Sequence, residues 1–577
     1  MECIGIIICI LVAIFLAIPL GKYISYVMNG KKVFLSKVLS PLELSAYKCL
    51  GINTKEQMEW KDYTISVLSL SGIGFLTLFL LLLCQGIPIL NPQGINGMSP
   101  DVALNTAMSF VTNTNWQAYN GEIHLSYLSQ SLGLTVQNFI SPAVGMAVLF
   151  AVIRGFLNEK DKKLGNFWVD IIRAILYVFI PLALILSIIL VSQGVIQNFN
   201  SYIQVPLLEN IFPGNGINIT NQIIPQGPVA SQVAINRLGS NGGGFFTANA
   251  AHPFENPTIF SNIIEMISMI IIPMSLCFAF GDSIKNKKHG IAIFSAMFFM
   301  FLSMLFIITI CETTATPQLF QNGMIDTSSY NQSKGNMEGK ESRIGTAFSG
   351  AWTAFSIIAG NGSMNSNVDS YTPLSGLAAL FQMNPGNVIF GGIGSGLYKM
   401  LAFIIIVAFI VGTMIGKTPK YLDKKIEPFE IKMAGIICFI SPIIVILGSI
   451  VVCSLPEISK NLANIGPHGF LEIVYNISSL GTNNGSKFTG FEANTLVLNL
   501  LIAAIMMMAR LIPMVSALAL AGSISGKQRI SKNIENTPVC ETYFFTVLII
   551  IAITIGALLV FPILALGPMA EFFQMIS

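Results

Sequence analysis

The sequence predicts an all-α membrane protein with ten transmembrane helices, organised around four repeats of apolar span, re-entrant loop and apolar span. Three observations predict it. Ten apolar blocks are each long enough to cross a bilayer, basic residues concentrate in alternate connecting segments, and four Gly/Asn-rich loops recur at near-equal intervals.

The blocks come first. Of 577 residues, 53% are apolar and only 10% charged, whereas a soluble protein of this length carries about 25% charged residues. A helix crosses the bilayer with about 20 predominantly apolar residues. The blocks are Ile4–Leu20, Ile65–Leu90, Ile140–Phe156, Ile171–Val195, Ile259–Phe280, Ile291–Cys311, Ile393–Ile415, Met433–Leu455, Leu496–Leu520 and Tyr543–Leu566. The first is not a cleavable signal: it begins Met1-Glu2, lacks a basic start, and is followed by Lys22 rather than small residues.

Charge sets the orientation, since Lys and Arg favour the cytoplasmic side of short loops. With the N-terminus outside, the inward segments hold 23 basic residues and the outward segments six: Arg237, Lys334, Lys340, Arg343, Lys460 and Lys487. Lys399 and Arg510 lie deeper inside apolar blocks. Both termini are therefore expected outside. The outward segments also carry 14 acidic residues, a bias that raises local cation concentration slightly.

The repeats follow from the outward loops. These contain Val111-Thr-Asn-Thr-Asn-Trp116, Leu238-Gly-Ser-Asn-Gly-Gly-Gly-Phe245, Ala359-Gly-Asn-Gly-Ser-Met364 and Gly481-Thr-Asn-Asn-Gly-Ser-Lys-Phe488. Anchored on Asn113, Asn241, Asn361 and Asn483, their spacings are 128, 120 and 122 residues. Self-similarity at a near-fixed period implies a repeated architecture. Asn-Gly and Gly-Gly are common in ordinary turns, but four such loops at this spacing, each between spans, are not ordinary turns.

A short helix is expected before each loop. Ser99-Pro100-Asp101 places Ser at the N-cap and Pro at the first helical position. Pro228 precedes Asn241 by the same 13 residues, and Pro467 opens the fourth helix; the third start is unmarked. Four helix C-termini, each carrying roughly half a negative charge, favour a cation where they converge. Gly and Asn tolerate φ > 0, so consecutive carbonyls can line one axis, as in filters that replace the hydration shell of potassium. The residues assigned to this site are Thr112, Asn113, Thr114 and Asn115; Ser240, Asn241, Gly242 and Gly243; Gly360, Asn361 and Gly362; and Thr482, Asn483, Asn484 and Gly485.

At these loops the chain resembles the potassium-binding A subunit family of the bacterial Kdp potassium-transporting P-type ATPases. The resemblance runs over nearly the whole chain. It rests on NTAMSFVTNTNWQAY (Asn105–Tyr119), GPVASQ (Gly227–Gln232), LGSNGGGFFTANAAHPFENP (Leu238–Pro257) and NMEGKESRIG (Asn336–Gly345). It continues through GGIGSGLY (Gly391–Tyr398), GKTPKYLDKKI (Gly416–Ile426), NIGPHGF (Asn464–Phe470) and LALGP (Leu564–Pro568).

The resemblance implies a fold of the K⁺-channel-like superfamily: four span–pore-loop–span units plus one extra helix at each end. The corresponding segments are an N-terminal helix and cytoplasmic loop over 1–61, repeats at 62–165, 166–288, 289–425 and 426–532, and a C-terminal helix over 533–577. It implies that potassium is bound outside the bacterial cell membrane and passed through an intramembrane tunnel to a catalytic P-type subunit (Kdp B type). A small accessory subunit (Kdp C type) and membrane lipid are the other expected partners; nucleic acid is not. The third loop departs from the family's Cys-Gly-Ala-like pattern, with Gly362 taking the glycine position.

Arg510 lies about 14 residues, or roughly 21 Å, into its block at 1.5 Å per residue. An intramembrane charge faces a cavity or a partner, or snorkels to the interface. Related potassium transporters place an arginine on this helix beneath the filter, so Arg510 is assigned as a cationic gate. Gly391–Gly396, just before Lys399, suits either an unwound stretch or close helix packing.

The sequence also excludes chemistry. Gly416-Lys417-Thr418 imitates the end of a P-loop, but the required earlier glycine is Val411. No DKTGT, HExxH or GxSxG sequence occurs. The four histidines show no metal-ligand spacing and no transition-metal site is expected. The nine cysteines include no CxxC pair and read as buried free thiols. The chain is thus no ATPase by itself. A self-sufficient potassium channel or symporter is the competing reading.

Overall fold

The computed structural model describes residues 2–159, 161–211, 218–314, 335–384, 388–414, 416, 418–455, 462–529 and 563–576. Among the described residues, nine helices are long and apolar enough to cross a membrane. They are α1 (Glu2–Met28), α3 (Trp60–Cys84), α5 (Ser129–Leu157), α6 (Phe167–Ser192), α8 (Ile259–Ser283), α9 (Lys287–Thr313), α12 (Ser395–Met414), α13 (Pro428–Cys453) and α15 (Leu496–Ser525). The tenth expected block, Tyr543–Leu566, falls outside the described residues until residue 563. Among the described residues, the other helices of seven or more residues are α2 (Ser36–Cys49), α4 (Pro100–Val111), α7 (Val229–Leu238), α10 (Thr346–Ile358), α11 (Pro373–Met383), α14 (Gly466–Gly481) and α16 (Ala570–Ile576). Among the described residues, three two-stranded antiparallel pairs occur: Met58–Glu59 with Lys163–Gly165, Ile203–Ile211 with Ile219–Ile224, and Lys420–Tyr421 with Lys424–Lys425.

The nine spans match nine apolar blocks, with ends moved by polar residues that hydropathy cannot place. The block expected at Ile140–Phe156 begins 11 residues earlier, at Ser129. That extra length carries Gln130, Gln137 and Asn138, all buried, which a water-to-lipid scale reads as loop. They stay helical because their side chains have partners: Gln130 Nε2 donates to the Phe245 carbonyl at 3.1 Å and Asn138 Oδ1 accepts from Asn115 Nδ2 at 2.7 Å. α5 is consequently the most enclosed span, while α1 and α3 present Phe15 and Ile65 outward at 75% and 62% exposure. Exposed aliphatic and aromatic rows of this kind are what lipid chains cover.

Glycine permits the closest helix contacts. A Cβ on Gly21 of α1 would lie 2.5 Å from the Ser275 carbonyl oxygen of α8, and one on Gly155 of α5 would lie 2.7 Å from the Ala521 oxygen of α15. Small residues let apolar helices approach where no hydrophobic force acts between them.

The four short helices α4, α7, α10 and α14 have 12, 10, 13 and 16 residues, too few to cross a hydrocarbon core of about 30 Å. α4 starts as expected, with Ser99 at the N-cap and Pro100 at the first position. Pro228 is the N-cap of α7 rather than its first residue. The unmarked third start is set by Gly345, whose φ of +81° no β-carbon favours.

Among the described residues the eight cysteines are free. Only Cys9, Cys277 and Cys438 are buried; Cys3, Cys49, Cys84 and Cys453 are exposed, contrary to the expectation from sequence. A thiol is apolar enough to sit on a face that lipid covers.

Candidate functional site

Each short helix runs directly into one loop, and the four loops share one backbone pattern. The capping residues Thr112, Gly239, Ala359 and Thr482 have negative φ. The next residues, Asn113, Ser240, Gly360 and Asn483, have φ of +62°, +47°, +62° and +57°. One residue further on, Thr114, Asn241, Asn361 and Asn484 are absent from the positive-φ set, and Asn115, Gly242, Gly362 and Gly485 return to it at +51°, +88°, +80° and +96°.

This pattern corrects the register. Asn241 and Asn361 correspond to Thr114 and Asn484, not to Asn113 and Asn483. The equivalent positions Asn113, Ser240, Gly360 and Asn483 are separated by 127, 120 and 123 residues. Three side chains of the first loop repeat the 127-residue offset: Asn113 Nδ2 donates to Ser240 O (2.7 Å), Asn115 Nδ2 to Gly242 O (3.1 Å) and Gln117 Nε2 to Gly244 O (3.0 Å).

The loops pack edge to edge in chain order. A Cβ on Gly242 would collide with the Asn361 carbonyl oxygen, one on Gly362 with that of Asn484, and one on Gly485 with that of Thr114. Glycine is required at these positions twice over, by φ and by contact. Side-chain amides tie the same neighbours. Asn361 Nδ2 donates to Asn236 O (3.0 Å), Asn484 Nδ2 to Ile357 O (3.0 Å) and Asn483 Nδ2 to Thr114 Oγ1 (2.9 Å). With the first-to-second ties, the ring closes. The asparagines therefore serve as braces between loops. All 15 assigned loop residues fall in this ring, Gly243 one step beyond the Gly242 position.

Four helix C-termini and their negative ends meet at this ring. On one side, the loops open into a cavity of about 490 Å³ lined by Asn115, Gly243, Gly362 and Gly485 with Lys487 and Glu492. The Lys487 ammonium sits 5.3 Å from the Trp116 ring centre, and burial lowers its pKa.

The residue whose role the sequence left unassigned is Arg237. Counted among the bases of the outward segments, it is fully buried. Its Nε donates to Glu265 Oε2 at 2.8 Å, its Nη2 to Glu255 Oε2 at 3.4 Å, and its Nη1 to the Gly243 carbonyl at 3.2 Å. Glu255 in turn accepts the Phe246 N–H at 2.7 Å. Burial, partly opposed by Arg237, pushes the Glu255 carboxyl up to about 7. Removing one member of such a buried group strands the others at a cost of about 3–5 kcal/mol, so this cluster stiffens the second loop. Only its position inside NRLGSNGGG, at the end of a short helix, hinted at a role.

Beneath the ring, Arg510 is buried, 6% exposed. Its Nη2 donates to the Ser141 carbonyl at 3.4 Å, and the Ser141 hydroxyl donates to Asn113 Oδ1 at 2.8 Å. Met506, one turn earlier on α15, accepts from Asn483 Nδ2 at 3.1 Å. Arg510 thus lies about one turn, or roughly 6 Å, below the ring, and it does not snorkel. Among the described residues no carboxylate pairs with it.

The glycine-rich stretch arrives at the same place. Phe390, Gly392 and Gly394 have φ of +52°, +61° and +76°, so the stretch Phe390–Gly394 before α12 is unwound. It is also tightly packed: Gly392 N donates to Ala359 O at 2.7 Å, and a Cβ on Gly145 would collide with the Ile393 carbonyl oxygen. Both readings left open by the sequence hold together. Lys399 follows on α12 and is buried.

Comparison with known proteins gives a consistent result. The sequence model of the family described as "Potassium-transporting ATPase A subunit" (KdpA) matches residues 7–573. A Clostridium perfringens protein named potassium-transporting ATPase potassium-binding subunit is 54% identical over 568 residues, covering 98% of each chain. A Desulfovibrio desulfuricans protein of the same name is 47% identical over 564 residues, covering 97% of each. Among solved structures, the potassium transporter TrkH from Vibrio parahaemolyticus covers 89% of this chain and 97% of its own, with a TM-score of 0.53 and 13% identity. The last likeness is one of fold.

Proposed function

Since the chain belongs to the potassium-transporting ATPase A subunit family, we propose that it is the potassium-binding, channel-like subunit of an ATP-driven uptake pump. The observation that carries this reading is the ring of four loops, whose glycines have carbonyl oxygens where side chains would be. Dehydrated K⁺ is coordinated by such oxygens. Thr112–Asn115, Ser240–Gly243, Gly360–Gly362 and Thr482–Gly485 form the filter, and the 490 Å³ cavity is its outer mouth.

The chain is then four span–pore-loop–span repeats with one further helix at each end, both termini outside the bacterial cell membrane. Potassium enters from outside, passes the filter and meets Arg510. From there it is diverted through an intramembrane tunnel to a catalytic P-type subunit of Kdp B type, which hydrolyses ATP, with a small Kdp C-type subunit completing the complex. The relatives' name, potassium-binding subunit, supports this division of labour.

Two experiments test the reading. Purified protein should melt higher in K⁺ or Rb⁺ than in Na⁺ or Li⁺ at matched ionic strength. An ion that binds only the folded state stabilises it by about 2.7 kcal/mol at 100 times its Kd, a shift of several degrees. Equal melting in Na⁺ and K⁺ would remove the potassium filter. In cells lacking other potassium uptake, transport should require the co-expressed P-type partner and ATP. Uptake by the chain alone would favour a self-sufficient transporter, which this fold also accommodates.

A further inference from the structure

Away from the loop ring, the fold assembles side chains whose charges do not balance. Asp369 lies in the single turn Val368–Ser370, His468 and Glu472 sit four residues apart on α14, and Glu571 is in the first turn of α16. Ligand atoms of Asp369, His468 and Glu472 all fall within 4.8 Å of one another. Sequence conceals the group because 99 residues separate Asp369 from His468, and 103 separate His468 from Glu571.

His468 Nε2 is 3.1 Å from Asp369 Oδ1, and its Nδ1 is 2.8 Å from Glu571 Oε1. Three carboxylates therefore gather around one imidazole. Among the described residues, no lysine or arginine pairs with any of them. Glu472 is fully buried; its Oε1 accepts from Asn464 Nδ2 at 2.7 Å, but its Oε2 has no hydrogen-bond partner. A buried carboxylate oxygen left unsatisfied is costly, and a cation bound there would supply what the protein does not.

We propose that Asp369, His468 and Glu472 form a binding site for a divalent transition-metal ion of the zinc class. One imidazole and two carboxylates with an open fourth position for water make a set that zinc takes tetrahedrally, and borderline metals favour such mixed nitrogen–oxygen ligands. Glu571 faces Nδ1, which fixes the ring so that the Nε2 lone pair is presented to the metal. Metal–ligand bonds of about 2.0–2.2 Å set neighbouring ligand atoms roughly 3.4 Å apart, close to the 3.1 Å that already separates His468 Nε2 from Asp369 Oδ1, so no pair of the three has to close by more than about 1.4 Å. The occupied site joins the turn behind the third loop, the fourth short helix and α16. It also stands at the mouth cavity: Thr489 and Gly490 donate to Asp369 Oδ2 at 3.5 and 2.7 Å, and Thr489 lines the cavity.

The test is zinc chloride titrated into the full chain, purified with its accompanying subunits and stripped with chelator. Bound metal is read by mass spectrometry and stability by melting. One zinc per chain and a zinc-dependent rise in Tm are expected. E472Q should lose both while keeping the K⁺-dependent shift, and E571Q should bind zinc about 10–100-fold more weakly. E472Q leaves the His468 contacts to Asp369 and Glu571 in place, so it reports on metal even where H468Q disturbs folding. Wild-type protein that holds no zinc and melts unchanged, or E472Q that retains zinc like wild type, overturns the site without touching the filter reading.

Discussion

Replacing Gly243 with aspartate is expected to weaken K⁺ affinity about 100-fold and to relax discrimination against other alkali cations. Two costs combine. Gly243 has φ of +67°, and a residue with a β-carbon pays about 1–2 kcal/mol in that region. Its Cβ would also lie 2.8 Å from the Asn115 carbonyl oxygen and 3.3 Å from the Gln117 amide. The first and second loops would have to part, breaking the Asn115 and Gln117 ties that hold them in register. Arg237 reaches the Gly243 carbonyl, so the strain reaches the buried charge cluster. A carboxylate at the mouth attracts any cation by charge, whereas a ring of fixed carbonyls selects by fit and field. Each 1.4 kcal/mol is tenfold in affinity, and the sum of strain and lost coordination reaches about twice that. Titration of K⁺, Rb⁺ and Na⁺ against the purified variant measures it. A folded variant with unchanged affinity and selectivity would take this loop out of the filter.

Arg510→Gln is expected to open a downhill K⁺ leak that needs no ATP. The guanidinium stays charged at any physiological pH. Repulsion of a second cation in a medium of low dielectric is strong: at an effective dielectric of about 20, two unit charges 4 Å apart repel by about 4 kcal/mol. Arg510 sits one turn below Met506, which braces Asn483, and its guanidinium meets Ser141, which braces Asn113. If the ring is the filter, Arg510 stands on the straight route through it, beside the unwound Phe390–Gly394 stretch. Glutamine keeps hydrogen bonding to Ser141 and much of the length, so folding is expected to survive. Flux of K⁺ into vesicles without nucleotide is the measurement. Vesicles that stay tight, with ATP-dependent uptake intact, would show that the arginine is no barrier.

Much of the architecture was legible in local features. Nine spans, the proline-marked short helices and the Gly/Asn loops all rest on interactions within a few residues: apolar runs, caps and tolerance of φ > 0. The loop register was not legible because it depends on backbone conformation rather than residue type. Ser240 and Gly360 occupy the position held by Asn113 and Asn483, and nothing in a serine announces φ of +47°. Matching asparagine to asparagine therefore slipped the second and third loops by one residue.

What only the tertiary structure decided is the pairing of buried polar groups. Asn483 meets Thr114 across 369 residues, Arg237 meets Glu265 across 28, and Asp369 meets His468 across 99. A buried amide or charge must find a partner, but which partner depends on how spans distant in sequence pack. The chain itself determined that it would cross the membrane and where its loops would turn back. Packing decided that the asparagines would brace the ring, that Arg237 would be buried against the second loop, and that Arg510 would stand beneath the ring.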